Sequence, residues 1–162
     1  MKWNKLLILI GSFLILPSTV LASADASCSA LPAAHQAVMD KLNAARTHAV
    51  VNDSINGETG IYSVAAQYAL TNIDSAINKL QGVSGSLTPV QTGYYPGHAY
   101  LIHNAVKTTQ SYLWTSNHWA AISFVYDKDV SAKLAMNEGL TAKSLLADMH
   151  TLSLKCYVHD TR

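Results

Sequence analysis

Apolar residues recur at steps of three and four along most of this chain, which is the spacing of one face of an α-helix. The first stripe comprises Leu31, Ala34, Val38, Leu42, Ala45 and Ala49. It predicts a helix from just after Pro32 to about Val51. The residues that follow favour turns, and they are predicted to end this helix: Asn52, Asp53, Ser54, Asn56 and Gly57.

A second stripe alternates steps of four and three, as in the seam of a helix bundle. It comprises Tyr62, Ala66, Ala69, Ile73, Ala76 and Leu80, and Gly82 is its predicted stop. Residues 82–97 then change character, because they are rich in Gly, Ser, Pro and Tyr. We expect one long loop there, and ordered loops of this length are often functional.

Two further helices are predicted after this loop. The stripe of the third comprises Leu101, Ala105, Thr108, Tyr112, Thr115, Trp119, Ile122 and Tyr126, with an alternative break at residues 116–117. Asp127 or Asp129 can cap the fourth helix. The face of that helix comprises Leu134, Thr141, Leu145, Met149, Leu152 and Cys156. Gly139 indicates a kink or a division of the fourth helix into two.

Four amphipathic segments and poor strand signals predict an all-α fold, an antiparallel four-helix bundle with one long loop between helices 2 and 3. In this topology the first helix starts, and the last helix ends, at the same end of the bundle. Cys28 and Cys156 would therefore meet, and we expect them to form a disulfide.

The N-terminus reads as an export signal. Lys2 and Lys5 precede the apolar run 6–16, and residues 22–24 are the small residues that a signal peptidase accepts. Residues 1–24 are thus predicted to be a cleaved signal peptide, and residues 25–162 a single helical-bundle domain. The signal is of bacterial type, which predicts a periplasmic or extracellular protein. Such a compartment is oxidising, in agreement with a disulfide.

The charge of the predicted mature chain limits the classes of partner that it could bind. Residues 25–162 carry nine Lys and Arg against ten Asp and Glu, a net charge of about −1. There is no basic run, so the sequence gives no indication of nucleic-acid binding. Beyond the signal, no apolar stretch reaches the ~20 residues that would cross a bilayer, so no transmembrane segment is predicted for residues 25–162.

Catalytic and metal signatures are not found. Residues 82–86 come close to the Gly-x-Ser-x-Gly nucleophile motif, but Ser86 stands where the last glycine belongs. No pair among the seven histidines is separated by three or four residues, so no two share a helical face at ligand spacing. We therefore predict neither an enzyme nor a metal site within one helix.

A haem site is the alternative hypothesis. Met39 lies early in the first predicted helix and His150 late in the last, and these positions approach each other in an antiparallel bundle. This is similar to the axial Met/His pair of the periplasmic cytochrome b562 family, whose four-helix bundles hold haem between the terminal helices. Met39 is also explained as a core residue beside Val38 and Leu42.

The aromatic residues give the leading hypothesis. Tyr94 and Tyr95 lie in the long loop, with Trp114 and Trp119 on the next predicted helix, and such side chains often anchor a binding partner. Lys107 adds attraction for an anionic lipid head group. We expect an exported protein that binds a protein or lipid partner, and a secreted effector is one form of it. The alternative is a periplasmic haem or metal carrier.

Overall fold

The computed structural model describes residues 25–162, and the predicted signal peptide lies outside them. The described chain forms four long helices and one short one. They are α1 (Ala26–Asn56), α2 (Ser63–Gln81), α3 (Ser84–Gln91), α4 (His98–Asp127) and α5 (Val130–Asp160), and no strand occurs among these residues. The predicted all-α bundle is confirmed.

The long helices pack in the cyclic order α1, α2, α4, α5. Helix α1 contacts α5 and α2 along its length, whereas it barely touches α4 on the diagonal. Each long helix is antiparallel to its neighbours in this order. The α1–α2 and α4–α5 connections are short, whereas residues 82–97, which include α3, connect α2 to α4. The bundle therefore has two ends. We call them the disulfide end, where α1 starts and α5 ends, and the turn end, where α1–α2 and α4–α5 connect.

Helix α1 is longer at both ends than predicted. It starts at Ala26, with the Asp25 side chain accepting a hydrogen bond from the Ser27 amide (2.8 Å), and it passes through Pro32. Proline in a helix costs stability because it removes an amide donor. The cost is met here by tertiary contacts, since Cys28 and Leu31 are completely buried before Pro32.

Two residues predicted to end α1 instead continue it into the core. Asn52 and Asn56 are both buried, and both form hydrogen bonds with other parts of the bundle. The stripe predicted for α1 is otherwise confirmed, because every member from Leu31 to Ala49 is buried or packed against the core. Helix α2 ends at Gln81 with Gly82 as its cap, as predicted, but Tyr62 lies outside its buried stripe and is exposed.

The predicted long loop contains a helix. Residues 84–91 form α3, which packs against α1 and α4 and buries Leu87 and Val90. Proline at position 89 and the glycines on either side concealed this helix in the sequence. The chain then turns at Gly97, whose φ of 74° is the left-handed conformation that glycine adopts without strain.

The buried face of α4 differs from the predicted stripe. Leu101 and Tyr126 are about half exposed, while the buried residues lie mostly one position further along. These are Ala99, Ile102, Ala105, Val106, Thr109, Leu113, Ser116, Ala120 and Ser123. The polar members are satisfied internally, as when Ser116 donates to the Ala69 carbonyl (2.7 Å). Small side chains also allow α2 to approach closely.

Helix α5 likewise turns small residues inward. Leu134 and Thr141 are exposed, whereas Ala135, Gly139 and Ala142 are buried beside the predicted Met149 and Cys156. Helices α4 and α5 both run without interruption, so neither predicted break occurs. Gly139 serves packing, because a Cβ at this position would overlap the side-chain amide of Asn117 on α4.

Candidate functional site

The disulfide end is closed covalently. Cys28 and Cys156 form the predicted disulfide, with Cα atoms 4.9 Å apart, and both residues are completely buried. Helix α3 and Tyr95 cover the core beside it. The Tyr95 hydroxyl accepts a hydrogen bond from the Asp25 amide (2.9 Å), and its ring lies edge-on to His159 at 5.2 Å. The disulfide itself is thus covered, although five large apolar or aromatic residues at this end remain exposed: Tyr94, Tyr100, Leu101, Leu154 and Val158.

The turn end is held by a polar network instead. The Asn52 side-chain oxygen accepts hydrogen bonds from Ser123 Oγ (2.9 Å) and from Asn56 Nδ2 (3.2 Å). Asn56 also donates to Asp129 (2.7 Å), and Asp129 caps α5 by accepting from the Ser131 amide (3.0 Å). Two buried asparagines of α1 therefore join the helices at this end, Asn52 to α4 and Asn56 to the start of α5.

The two connections at the turn end contact each other directly. The Tyr62 amide donates to Asp127 Oδ1 (3.2 Å), and the rings of Tyr62 and Tyr126 lie with centroids 4.1 Å apart. Gly60 lies beside Asp127, since a Cβ there would come within 3.1 Å of the carboxylate. The α1–α2 and α4–α5 connections consequently form one surface.

Large apolar side chains on this surface face solvent. Ile61 is 80% exposed and Val130 is 64% exposed. We call the exposed apolar residues in or next to the two connections the apolar tip: Ile61, Tyr62, Val64, Tyr126 and Val130. Single exposed apolar residues are ordinary, but a group of them in one place marks an interaction surface on a folded protein.

Charges around the apolar tip are mainly negative. The acidic residues at this end are Asp53, Glu58, Asp127 and Asp129, and the basic ones are Lys128 and Lys133. Lys133 lies over the ring of Phe124, with its nitrogen 5.5 Å from the centroid, so its charge is partly directed at that ring. The tip thus combines an apolar surface with an acidic surround.

The residues predicted to bind a partner fall into different environments. Tyr94 is 62% exposed at the disulfide end, whereas Tyr95 packs against the core. Trp119 also packs against the core, with its ring 5.1 Å from that of Tyr68. Trp114 is 61% exposed, but it lies sixteen residues after the start of α4, roughly 24 Å along the axis from Tyr94. The structure does not bring these four aromatic residues into one patch.

Lys107 and Trp114 do share a surface groove. The groove has a volume of about 420 Å³ and lies between α4 and α5. Its lining comprises Lys107, Gln110, Ser111, Trp114, Thr115 and His150. The exposed ring of Trp114 stacks on His118 at a centroid distance of 5.6 Å. Two of the residues predicted to bind a partner, Lys107 and Trp114, thus lie beside the same groove as His150, which was predicted as a haem ligand.

A pair of histidines bridges α4 and α5 next to this groove. The rings of His103 and His150 have centroids 5.1 Å apart, and Tyr157 stacks on His103 at 5.9 Å. His103 Nδ1 lies 3.0 Å from Ser153 Oγ. Burial lowers the pKa of His103 below its ordinary value, and the nearby His150 and Lys107 lower it further. His103 is consequently neutral at physiological pH.

The other half of the haem hypothesis, Met39, is partly buried against the core. The ion pair between Lys41 and Glu138 (2.9 Å) and the disulfide together fix the register of α1 against α5. Counting from these contacts along antiparallel helices places residues 140–145 opposite Met39. His150 lies five to ten residues beyond them, roughly 8–15 Å along the axis. The register therefore does not place Met39 opposite His150, and the haem pair stays a prediction.

Sequence reasoning missed two features of the site. The sequence signal for the apolar tip is the presence of Ile61 and Val130 beside turns, where polar residues are usual. The pairing of His103 with His150 left no local signal, because its members are on different helices. Within residues 25–162, no three His, Cys, Asp or Glu side chains converge as metal ligands.

Comparisons of the chain with protein-family models, with curated proteins and with solved structures find no match. No helix among residues 25–162 has both the length and the apolar character needed to cross a bilayer. The geometry of the described residues is therefore the basis for assigning a function.

Proposed function

We propose that this chain is an exported binding protein that docks a protein partner through the apolar tip. The observation that supports this most directly is the group of exposed aliphatic and aromatic side chains at the turn end, with Ile61 four-fifths exposed. Removing such a surface from water on docking is favourable by roughly 25 cal/mol for each Å² of apolar area.

The fixed geometry of the tip also favours docking. The network around Asn52 and the contact between Tyr62 and Asp127 hold both connections in place before a partner arrives. A surface that is already ordered loses little conformational entropy on binding. Exposed residues on these two connections can therefore act as anchors.

The charges favour a protein over a lipid surface. Four acidic residues surround the tip against two lysines, and anionic lipid head groups would be repelled by this surplus. A second copy of the tip would carry the same surplus, which disfavours self-association. The chemistry fits a protein surface that presents an apolar patch with basic residues around it.

Export is supported by the disulfide, since such bonds persist in oxidising compartments. The predicted signal peptide agrees with that location, which is periplasmic or extracellular. A secreted effector and a periplasmic partner protein both satisfy these requirements.

The test is site-specific photo-crosslinking followed by affinity measurement. A photoreactive residue at position 61 should capture a partner in periplasmic or culture extract, and the identified partner is then purified. Ile61→Asp should weaken its binding at least 10-fold, because a charge is placed in the apolar contact. Tyr94→Asp, at a residue of the other end that is 62% exposed, is the matched control and should leave the affinity unchanged.

Three outcomes would contradict the proposal. Loss of affinity on Tyr94→Asp or Trp114→Asp, with Ile61→Asp unaffected, would favour the surface predicted from sequence. Co-sedimentation with anionic phospholipid vesicles that Ile61→Asp abolishes would make the occupant a lipid. A concentration-dependent dimer that Ile61→Asp dissociates would make it a second copy.

A further inference from the structure

We infer that His103 and His150 form a two-histidine site for a divalent transition-metal ion. Among such ions, Cu²⁺ is expected to bind most tightly. Imidazole suits Zn²⁺, Ni²⁺ and Cu²⁺, and among these Cu²⁺ is bound most strongly by a given set of nitrogen ligands. The inference uses a surface remote from the apolar tip, and so it does not depend on the proposed docking function.

The distance between the rings is the first argument. Two imidazoles that bind one ion at about 2.0–2.1 Å, with an angle at the ion between square and tetrahedral, have ring centroids roughly 4.5–5.2 Å apart. The centroids of His103 and His150 are 5.1 Å apart. Since α4 and α5 pack along their length, the backbone positions that set this distance are fixed.

The hydrogen bonding of His103 is the second argument. Ser153 is completely buried, and its hydroxyl donates to the His150 carbonyl (2.9 Å). Its oxygen is therefore left to accept from His103 Nδ1–H at 3.0 Å. This tautomer keeps the lone pair of His103 on Nε2. Metal-binding histidines commonly donate their other ring N–H to an oxygen in this way.

The surroundings leave room for the remaining ligands of the ion. His150 lines the groove of about 420 Å³, whose polar walls include Gln110 and Ser111, so water or an external ligand can complete the coordination. Lys107 lies on the same groove and repels a cation. With two protein ligands and this charge nearby, the site fits an ion that exchanges with solvent better than a permanently held one.

The test is a titration of untagged protein with Cu²⁺. Calorimetry measures the affinity, and electron paramagnetic resonance identifies the atoms that coordinate the ion. One equivalent should bind with nitrogen hyperfine coupling from imidazole. His103→Gln and His150→Gln should each lower the affinity at least 10-fold, and Ser153→Ala should lower it about 10-fold by releasing His103. Lys107→Ala should raise the affinity. His118→Gln, a histidine on the same helix outside the pair, is the matched control and should change nothing.

The inference is wrong if neither His103→Gln nor His150→Gln alters the affinity, or if His118→Gln lowers it as much. Circular dichroism before titration separates loss of a ligand from loss of fold. Should His103→Gln unfold the chain, His150→Gln decides the matter, because the described hydrogen bonds involve the His150 carbonyl and not its ring.

Discussion

The two ends of the bundle are closed by different means. At the disulfide end, a covalent bond joins α1 to α5, and α3 and Tyr95 cover the core. At the turn end, hydrogen bonds of Asn52 and Asn56 join α1 to α4 and α5, and no additional element of the described chain covers the apolar residues. The comparison shows that one end is held by a covalent bond and an additional helix, and the other by hydrogen bonds between its two connections.

These two means of closure act on different states of the chain. A disulfide stabilises mainly by restricting the unfolded chain, so its effect extends over the whole fold. A buried hydrogen-bond network acts in the folded state and fixes local geometry. Removal of the disulfide should therefore lower global stability, while removal of the network should loosen one end.

The largest effect is expected for the disulfide. Replacing both Cys28 and Cys156 with Ala should lower the free energy of unfolding by about 3 kcal/mol. Loop-closure arithmetic for a sequence separation of 128 gives a ceiling of about 5 kcal/mol. Urea denaturation measures the loss. Reductant should cause the same loss of stability in the wild type and should have no effect on the double variant. If the oxidised wild type and the double variant are equally stable, the disulfide does not contribute to stability.

A smaller and more local effect is expected at the turn end. Asn52→Ala should cost about 2 kcal/mol, because Ser123 and Asn56 lose a buried acceptor. Hydrogen exchange should accelerate in the α1–α2 and α4–α5 connections while the disulfide end stays protected. Asn43→Ala, at an exposed asparagine of the same helix, is the control and should change stability by less than about 0.5 kcal/mol. Uniformly faster exchange would contradict a local role.

The smallest effect is expected for the cap of α1. The Ser27 amide bonds to the Asp25 carboxylate and holds its pKa below the ordinary 3.8. A lowered pKa in the folded state means that the stabilisation is present above about pH 4 and is lost as the pH falls through the folded value. Asp25→Ala should cost about 1 kcal/mol at pH 7, and the difference from wild type should shrink towards pH 2.5 in denaturation experiments. A difference independent of pH would exclude the carboxylate as the cause.

Sequence patterns predicted the fold well because four long amphipathic stripes leave few alternatives to a bundle. They predicted buried faces unevenly. In α1 the stripe from Leu31 to Ala49 coincides with the core, since all its members are buried or packed against it. In α4 the large residues Leu101 and Tyr126 lie outside and Thr109 and Ser116 lie inside. Hydropathy alone misplaces such a face, because satisfied hydroxyl groups on short side chains allow the helices to pack closely.

The candidate sites were harder to predict because they also depend on tertiary packing. Tyr94 and Tyr95 are neighbours in sequence, yet one faces solvent and the other packs on the core. His103 and His150 are far apart in sequence, yet their rings are in contact distance. Local spacing carries no information about either outcome, because the first depends on how the connection between α3 and α4 packs and the second on how α4 and α5 are rotated about their axes.

What the sequence determined by itself was the number and order of the long helices, and with them the meeting of Cys28 and Cys156. Helical periodicity and turn residues are local properties, and an antiparallel bundle follows from them. Only the tertiary structure decided which face of α4 is buried, that residues 84–91 cover the core as a helix, and that the α1–α2 and α4–α5 connections contact each other. Those outcomes depend on packing between helices, where a rotation of one residue changes which side chains meet.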